Sequence, residues 1–370
     1  MNVSSSFELS LMYEFSFTCL LLTFNNPIAN LTLYTQLERE RPAAGLGSSN
    51  NLYYVRGREL FCHNYARNTS SGSGVDVPIA SLRRVGQQAQ TDGIGSAARY
   101  LTYNQHNPTE GNVLVCSDVD GGSYELVSFQ LHNTSSSVVD GKRGSCMGPC
   151  IFLGKTRFAA LDRQSRQIIV RNMNNEICKK CQPPVPNVDI MFDGGAPGRI
   201  IFRADDRAIL FEVQSRRILA EITAPKLKSC VWSPDGSKVA LLCKYGVVIA
   251  NRGLEQLCSI SDHVRIKSGA WDMTPQEGTA NEMFVYTTLH HVKYCLPSGD
   301  TGTIRTLDNP IYVQRVLKDQ IYCLDREARA KVLSIDTTEA RFKLALSNKK
   351  VSQRVMHQSC FYLNILFHVS

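Results

Sequence analysis

The stretch CVWSPDGSKVALLCKYGVVIAN, residues 230–251, reads as an apolar strand, a polar turn, a second apolar strand, another turn and a third strand. Its first turn is written in the residues. Pro234 presets φ, Asp235 bonds its own backbone and Gly236 accepts a positive φ, closing a tight reversal between Val231-Trp232 and the run 239–242. One small antiparallel sheet of this kind cannot hide both of its faces, so something else in the chain must cover it.

The same unit returns. It starts near Leu52, Tyr100, Ile151, Ile190, Cys230, Ala270 and Tyr312, at a spacing of roughly 40–50 residues that belongs to β-propeller blades rather than to ankyrin, tetratricopeptide or leucine-rich repeats. Blades stacked around an axis bury one another's faces, and closing the ring leaves only short, protected edges. Seven starts predict an all-β fold, a seven-bladed WD40-like β-propeller. Trp232 and Trp271 occupy equivalent places in successive units and are expected to pack between blades. The units are degenerate: no Gly-His start pairs with a Trp-Asp end, and Trp271-Asp272 sits at the wrong strand for that signature. Two polar stretches, NTSSGSG at 68–74 and NTSSSVVDGKRG at 133–144, read as loops between strands.

The last unit changes character. In IYCLDREARAKVLSIDTTEARFKLAL, residues 321–346, strand, charged turn and strand give way to a helix start. Asp336 and Glu339 have capping-box spacing, and Phe342, Ala345 and Leu346 recur at i, i+3, i+4, which predicts one apolar helix face.

The chain has 370 residues, 43% of them hydrophobic, enough to bury a sizeable core. No stretch reaches the roughly 18–20 apolar residues of a membrane span. The segment 12–24, MYEFSFTCLLLTF, has the length of a signal-peptide apolar region but lacks a basic segment before it and a small-residue cleavage site after it. Thirteen cysteines, an odd number, stand singly along expected strands, as at Cys116, Cys230, Cys243, Cys295 and Cys323, where a thiol acts as a small hydrophobe. That usage favours the cytosol over the four Asn-x-Ser/Thr triplets at Asn2, Asn30, Asn68 and Asn133. The net charge of +8 is dispersed in pairs such as Arg83-Arg84, Lys142-Arg143, Lys179-Lys180, Arg216-Arg217 and Lys349-Lys350, interleaved with acidic residues. It argues against a nucleic-acid partner and fits solvated edges or a modest attraction to an anionic surface.

Four constellations invite a chemical reading. Cys146-x3-Cys150 with Cys178-x2-Cys181 would be a four-thiolate zinc centre if all four converged, but one irregular and one regular pair make half a motif. Gly93 to Ala98, GIGSAA, matches a dinucleotide loop without the required strand before it or helix after it. His290 and His291, near Lys293 and Asp300, are strand neighbours that point to opposite faces. The Leu-Asp-Arg triplets at Leu161 to Arg163 and Leu324 to Arg326 lie between strands, where Asp and Arg serve turn geometry and surface pairing. No nucleophile pairs with a base, so no catalytic, cofactor or metal residue is assigned and no enzyme is expected.

LERERPA (37–43), NRGLEQLCSI (251–260), RIKSGAWD (265–272), GTIRTLDNPIYVQRV (302–316) and the run 321–350 together resemble the alpha subunit of coatomer, the COPI vesicle coat. The likeness is dense from about Phe158 onward and loose between Pro42 and Lys142. It implies a second propeller followed by the first helix of an α-solenoid. It also implies a structural, non-enzymatic role in Golgi-to-ER and intra-Golgi vesicle transport, on the cytosolic face of the Golgi membrane, with other coatomer subunits, beta-prime and epsilon among them, as partners. The family's dilysine recognition is attributed to its first propeller, so no cargo-binding residue is transferred. The implied organisation is an unmatched extension at 1–36, the propeller at 37–336, the solenoid start at 337–350 and an unmatched tail at 351–370. A mispredicted gene model or an assembly break is the reading of both ends. The alternative reading is another propeller-based module that binds a peptide or an anionic surface.

Overall fold

A computed structural model describes residues 44–46, 51–57, 59–64, 76–82, 98–117, 122–131, 141–274 and 282–347. All of them belong to the second of two compact units, Pro42–Ser370. The readings made above on residues 1–43, on Arg83-Arg84, on Gly93 to Ala97, on the triplets at Asn68 and Asn133, and on 348–370 lie outside the described residues.

Seven antiparallel sheets follow one another in chain order, which makes the seven-bladed propeller. Blades I to VII span 44–81, 98–145, 151–181, 188–223, 227–261, 268–306 and 312–334. Within each, strands pair in sequence order, and the first strand of every blade lies against the first strands of its two neighbours around the axis. Leu52, Tyr54 and Phe61 of blade I pack with Leu324 and Ala328 of blade VII, and this contact closes the ring.

The physical reason is legible in the middle strands. Successive side chains point to opposite faces, and in a stacked blade both faces are covered, so these strands read as nearly continuous apolar runs. Val239 and Leu241 enter the core shared with blade IV, while Ala240 and Leu242 enter the core shared with blade VI. Likewise Ile201 faces blade V, and Ile200 and Phe202 face blade III. Seven apolar clusters result, one for each blade interface.

The expected turn at Pro234 forms as written. Gly236 adopts φ +66° and its N–H donates to the Ser233 carbonyl at 2.8 Å, while Asp235 Oδ1 accepts from Ser233 Oγ and from the Ser237 N–H.

The structure differs from the sequence reading in two respects. Six blades carry a fourth, outer strand beyond the three expected, for example Ile177–Cys181 and Gln256–Ser261. These strands are largely exposed or half-buried and mix apolar with polar residues, so they give no continuous apolar signal. Among the described residues blade VII has three strands. The helix also starts differently. It spans Thr338–Ser347, its first turn is closed by the Arg341 N–H donating to the Thr337 carbonyl, and Asp336 Oδ1 accepts the Thr338 N–H. Glu339 turns away from the cap toward Tyr294 and Lys343. Its buried face is Ala340 and Leu344, whereas Leu346 is 49% exposed. Packing on blades VI and VII chose that face, and Leu346 lies beyond their reach.

Candidate interaction surfaces

The two tryptophans lie at blade junctions, as expected. Trp232 Nε1 donates to the Asp193 carbonyl of blade IV at 2.8 Å, and Trp271 Nε1 donates to the Val231 carbonyl of blade V at 2.9 Å. The Leu-Asp-Arg triplets serve turns. Asp162 Oδ2 accepts from the Ser165 amide and hydroxyl. Asp325 Oδ1 accepts the Glu327 and Arg329 amides, and its Oδ2 pairs with Arg329 and Lys331.

The remaining constellations come apart. Lys293 Nζ bonds Asp262 Oδ2 at 2.7 Å, Asp300 bonds Ser298, and His291 accepts through its backbone from Thr288. Ala98 opens a strand, Ala98–Tyr103, where a dinucleotide loop needs a helix. Cys178 is exposed on the outer strand of blade III and Cys181 enters the core between blades III and IV, whereas Cys146 and Cys150 lie in the core between blades II and III. The four thiols therefore do not converge.

A cavity of about 170 Å³ is lined by Gly45, Leu101, Tyr103, His106, Phe152 and Asp193, drawn from four blades. Desolvation raises the Asp193 carboxyl pKa, opposed by the Gly195 N–H donated to it at 2.9 Å and by His106 nearby. Sequence reasoning singled out none of these side chains, because the ring brings them together from positions far apart in the chain.

The helix forms a second surface with blades VI and VII. Ala340 and Leu344 join the core of Val285, Val292, Tyr294 and Ile335. Polar contacts surround that core: Tyr294 with Glu339 and Lys343, and Thr337 Oγ1 donating to Asp319 Oδ1. The Ile335 N–H donates to the Asp319 carbonyl at 2.9 Å, and Arg341 lies 2.9 Å from the Asp319 carboxylate. Asp319 sits at the turn between the first two strands of blade VII with φ +60°. Nothing in the sequence marked it, since its partners lie 16 to 22 positions ahead.

A closed ring of seven blades with a helix packed against two adjacent blades defines a β-propeller module. Solved structures agree on the fold. A chain of a mitotic checkpoint complex matches with TM-score 0.54 at 10% identity, covering 80% of this chain and 87% of that one. The protein KlHsv2 matches with TM-score 0.52 at 9% identity, covering 80% and 94%. The chain belongs to the family described as the COPA/B second beta-propeller, whose model matches residues 79–325.

Among curated relatives, coatomer subunit alpha-2 of Oryza sativa subsp. japonica is 42% identical over 317 residues, covering 85% of this chain. Coatomer subunit alpha-2 of Arabidopsis thaliana is also 42% identical over 317 residues, and coatomer subunit alpha of Dictyostelium discoideum is 33% identical over 318. The chain spans 24% of the length of each. Among the described residues no helix is long and apolar enough to cross a membrane.

Proposed function

We propose that this chain is the second-propeller portion of an alpha-type coatomer subunit. In this reading it is a non-enzymatic scaffold of the COPI coat in Golgi-to-ER and intra-Golgi vesicle transport, acting on the cytosolic face of Golgi membranes. The observation that carries the reading is the family match over residues 79–325, from the last strand of blade I into blade VII, joined to a helix packed on blades VI and VII. A ring rigidly joined to a helix transmits orientation, which suits a coat assembled from many modest contacts between rigid parts. The helix at 338–347 serves as the first element of a helical rod.

The full-length chain, expressed with an affinity tag and recovered from cytosol, is expected to bring down other coatomer subunits, the beta-prime and epsilon subunits among them. Recovery of none of them from a folded full-length protein overturns the proposal.

A further inference from the structure

Three cysteines from two blades meet in the core between blades II and III. Cys116 lies on the second strand of blade II, Cys146 follows the last strand of that blade, and Cys150 immediately precedes the first strand of blade III. Their sulfur atoms all lie within 4.8 Å of one another, and the residues are 1%, 0% and 0% exposed. The loop 146–150 is held in shape by its backbone: the Cys146 N–H donates to the Gly122 carbonyl at 3.2 Å, and the Cys150 N–H donates to Cys116 Sγ at 3.3 Å.

Two features set this cluster apart from thiols packed as small hydrophobes. A backbone N–H aimed at sulfur stabilises negative charge there, as it does around metal-bound thiolates. The second is convergence: two blades and the loop between them bring three sulfurs to one point, within 4.8 Å of one another.

We propose that Cys116, Cys146 and Cys150 form a three-thiolate site for a single thiophilic d10 cation, and we assign it to Cu(I). Three sulfurs at about 2.3 Å from a trigonal metal stand about 4 Å apart, a contraction of under about 1 Å from the present spacing. Soft thiolates select Cu(I) or Zn(II). Zn(II) takes a fourth ligand, and among the described residues no fourth His, Cys, Asp or Glu ligand atom joins the three. Each thiol that binds loses its proton to solvent as its sulfur–metal bond forms. The site would tie blade II to blade III across their interface.

The test uses the whole 370-residue chain, kept reduced and anaerobic, with Cu(I) alone supplied against a competing Cu(I) chelator and Zn(II) alone in a parallel arm. One equivalent of Cu(I) is expected to be retained, with proton release on binding and an X-ray absorption spectrum showing three sulfur scatterers. Cys116→Ser and Cys150→Ser are expected to weaken uptake by more than about 100-fold, while Cys178→Ser, at an exposed position elsewhere, leaves it unchanged. Failure of the wild-type chain to hold copper, or undiminished uptake by a folded Cys116→Ser variant, overturns the site. Zn(II) uptake without Cu(I) uptake overturns the copper assignment. Should the serine variants not fold, the sulfur count in the wild-type spectrum decides, and fewer than three sulfurs rejects the proposal.

Discussion

The Tyr294 hydroxyl of blade VI donates to Glu339 Oε1 on the helix at 3.1 Å, and Lys343 Nζ, one helical turn further on, donates to the same Tyr294 oxygen at 3.0 Å. The tyrosine ring is buried in the core that receives Ala340 and Leu344. One side chain thus anchors the helix by its apolar body and aligns it by its polar tip.

The apolar part of this joint is expected to dominate. Leu344→Ala removes a side chain that is 7% exposed, at a cost of about 2–4 kcal/mol to helix docking. Tyr294→Phe removes only the hydroxyl contacts. Because Glu339 and Lys343 are 62% and 36% exposed, the change is expected to cost no more than about 1 kcal/mol. Amide hydrogen exchange over 338–347 is the readout: Leu344→Ala accelerates it strongly and Tyr294→Phe weakly, and the reverse order rejects this account of the joint.

Gly195, between the first two strands of blade IV, lies against the Trp232 indole of blade V. Gly195 has φ +72°, and a Cβ there would stand 2.4 Å from Trp232 Cδ2. Gly195→Ala therefore meets both an unfavourable backbone region and an indole whose Nε1 is tied to Asp193. We expect a loss of about 2–3 kcal/mol, read as a lower urea midpoint. Trp232→Phe, which loses the Asp193 hydrogen bond, is expected to cost about 1–2 kcal/mol. An unchanged midpoint for Gly195→Ala contradicts the geometry.

Stability is expected to fall on the acid side. The Ser165 hydroxyl and then its amide hold Asp162 below the ordinary carboxylate range. For Asp325, burial pushes upward but is outweighed by the Arg329 N–H and by the Lys331 and Arg329 side chains, so its pKa is also lowered. Both folded values lie below the unfolded one, so the stabilisation is complete above about pH 4 and is lost as pH falls through the folded pKa. Urea midpoints measured from about pH 6 to about pH 3 should decline. Asp325→Asn should start lower and decline less steeply, and an equal slope would remove Asp325 from the explanation.

This propeller is expected not to bind a dilysine tail peptide, since the resemblance attributes that recognition to a different propeller of the family. The cavity lined by residues of blades I to IV has one carboxylate side chain, Asp193, in its lining. Calorimetry with such a peptide should show no binding heat, and micromolar affinity would overturn the expectation.

Much of the fold was legible because it is local. The turn at Pro234 to Gly236 follows from the residues that make it, and the seven starts follow from strands apolar on both faces. The placement of Trp232 and Trp271 followed from their equivalent positions in successive units. The fourth strands were missed because residues such as Lys179 and Lys180 lie at the solvent rim, where burial imposes no pattern. The helix was found, but the wrong face was chosen: periodicity picked out Phe342, Ala345 and Leu346, whereas the neighbouring blades bury Ala340 and Leu344.

The turns and the apolar middle strands were set by the sequence alone, because turn chemistry and two-sided burial act over a few residues. The company each polar or sulfur-bearing side chain keeps was decided by the tertiary structure. Stacking of neighbouring blades, and of the helix on them, brings Cys116 to Cys150, Asp193 to Trp232 and Tyr294 to Glu339, pairs 34 to 45 positions apart, and no local pattern encodes contacts of that range.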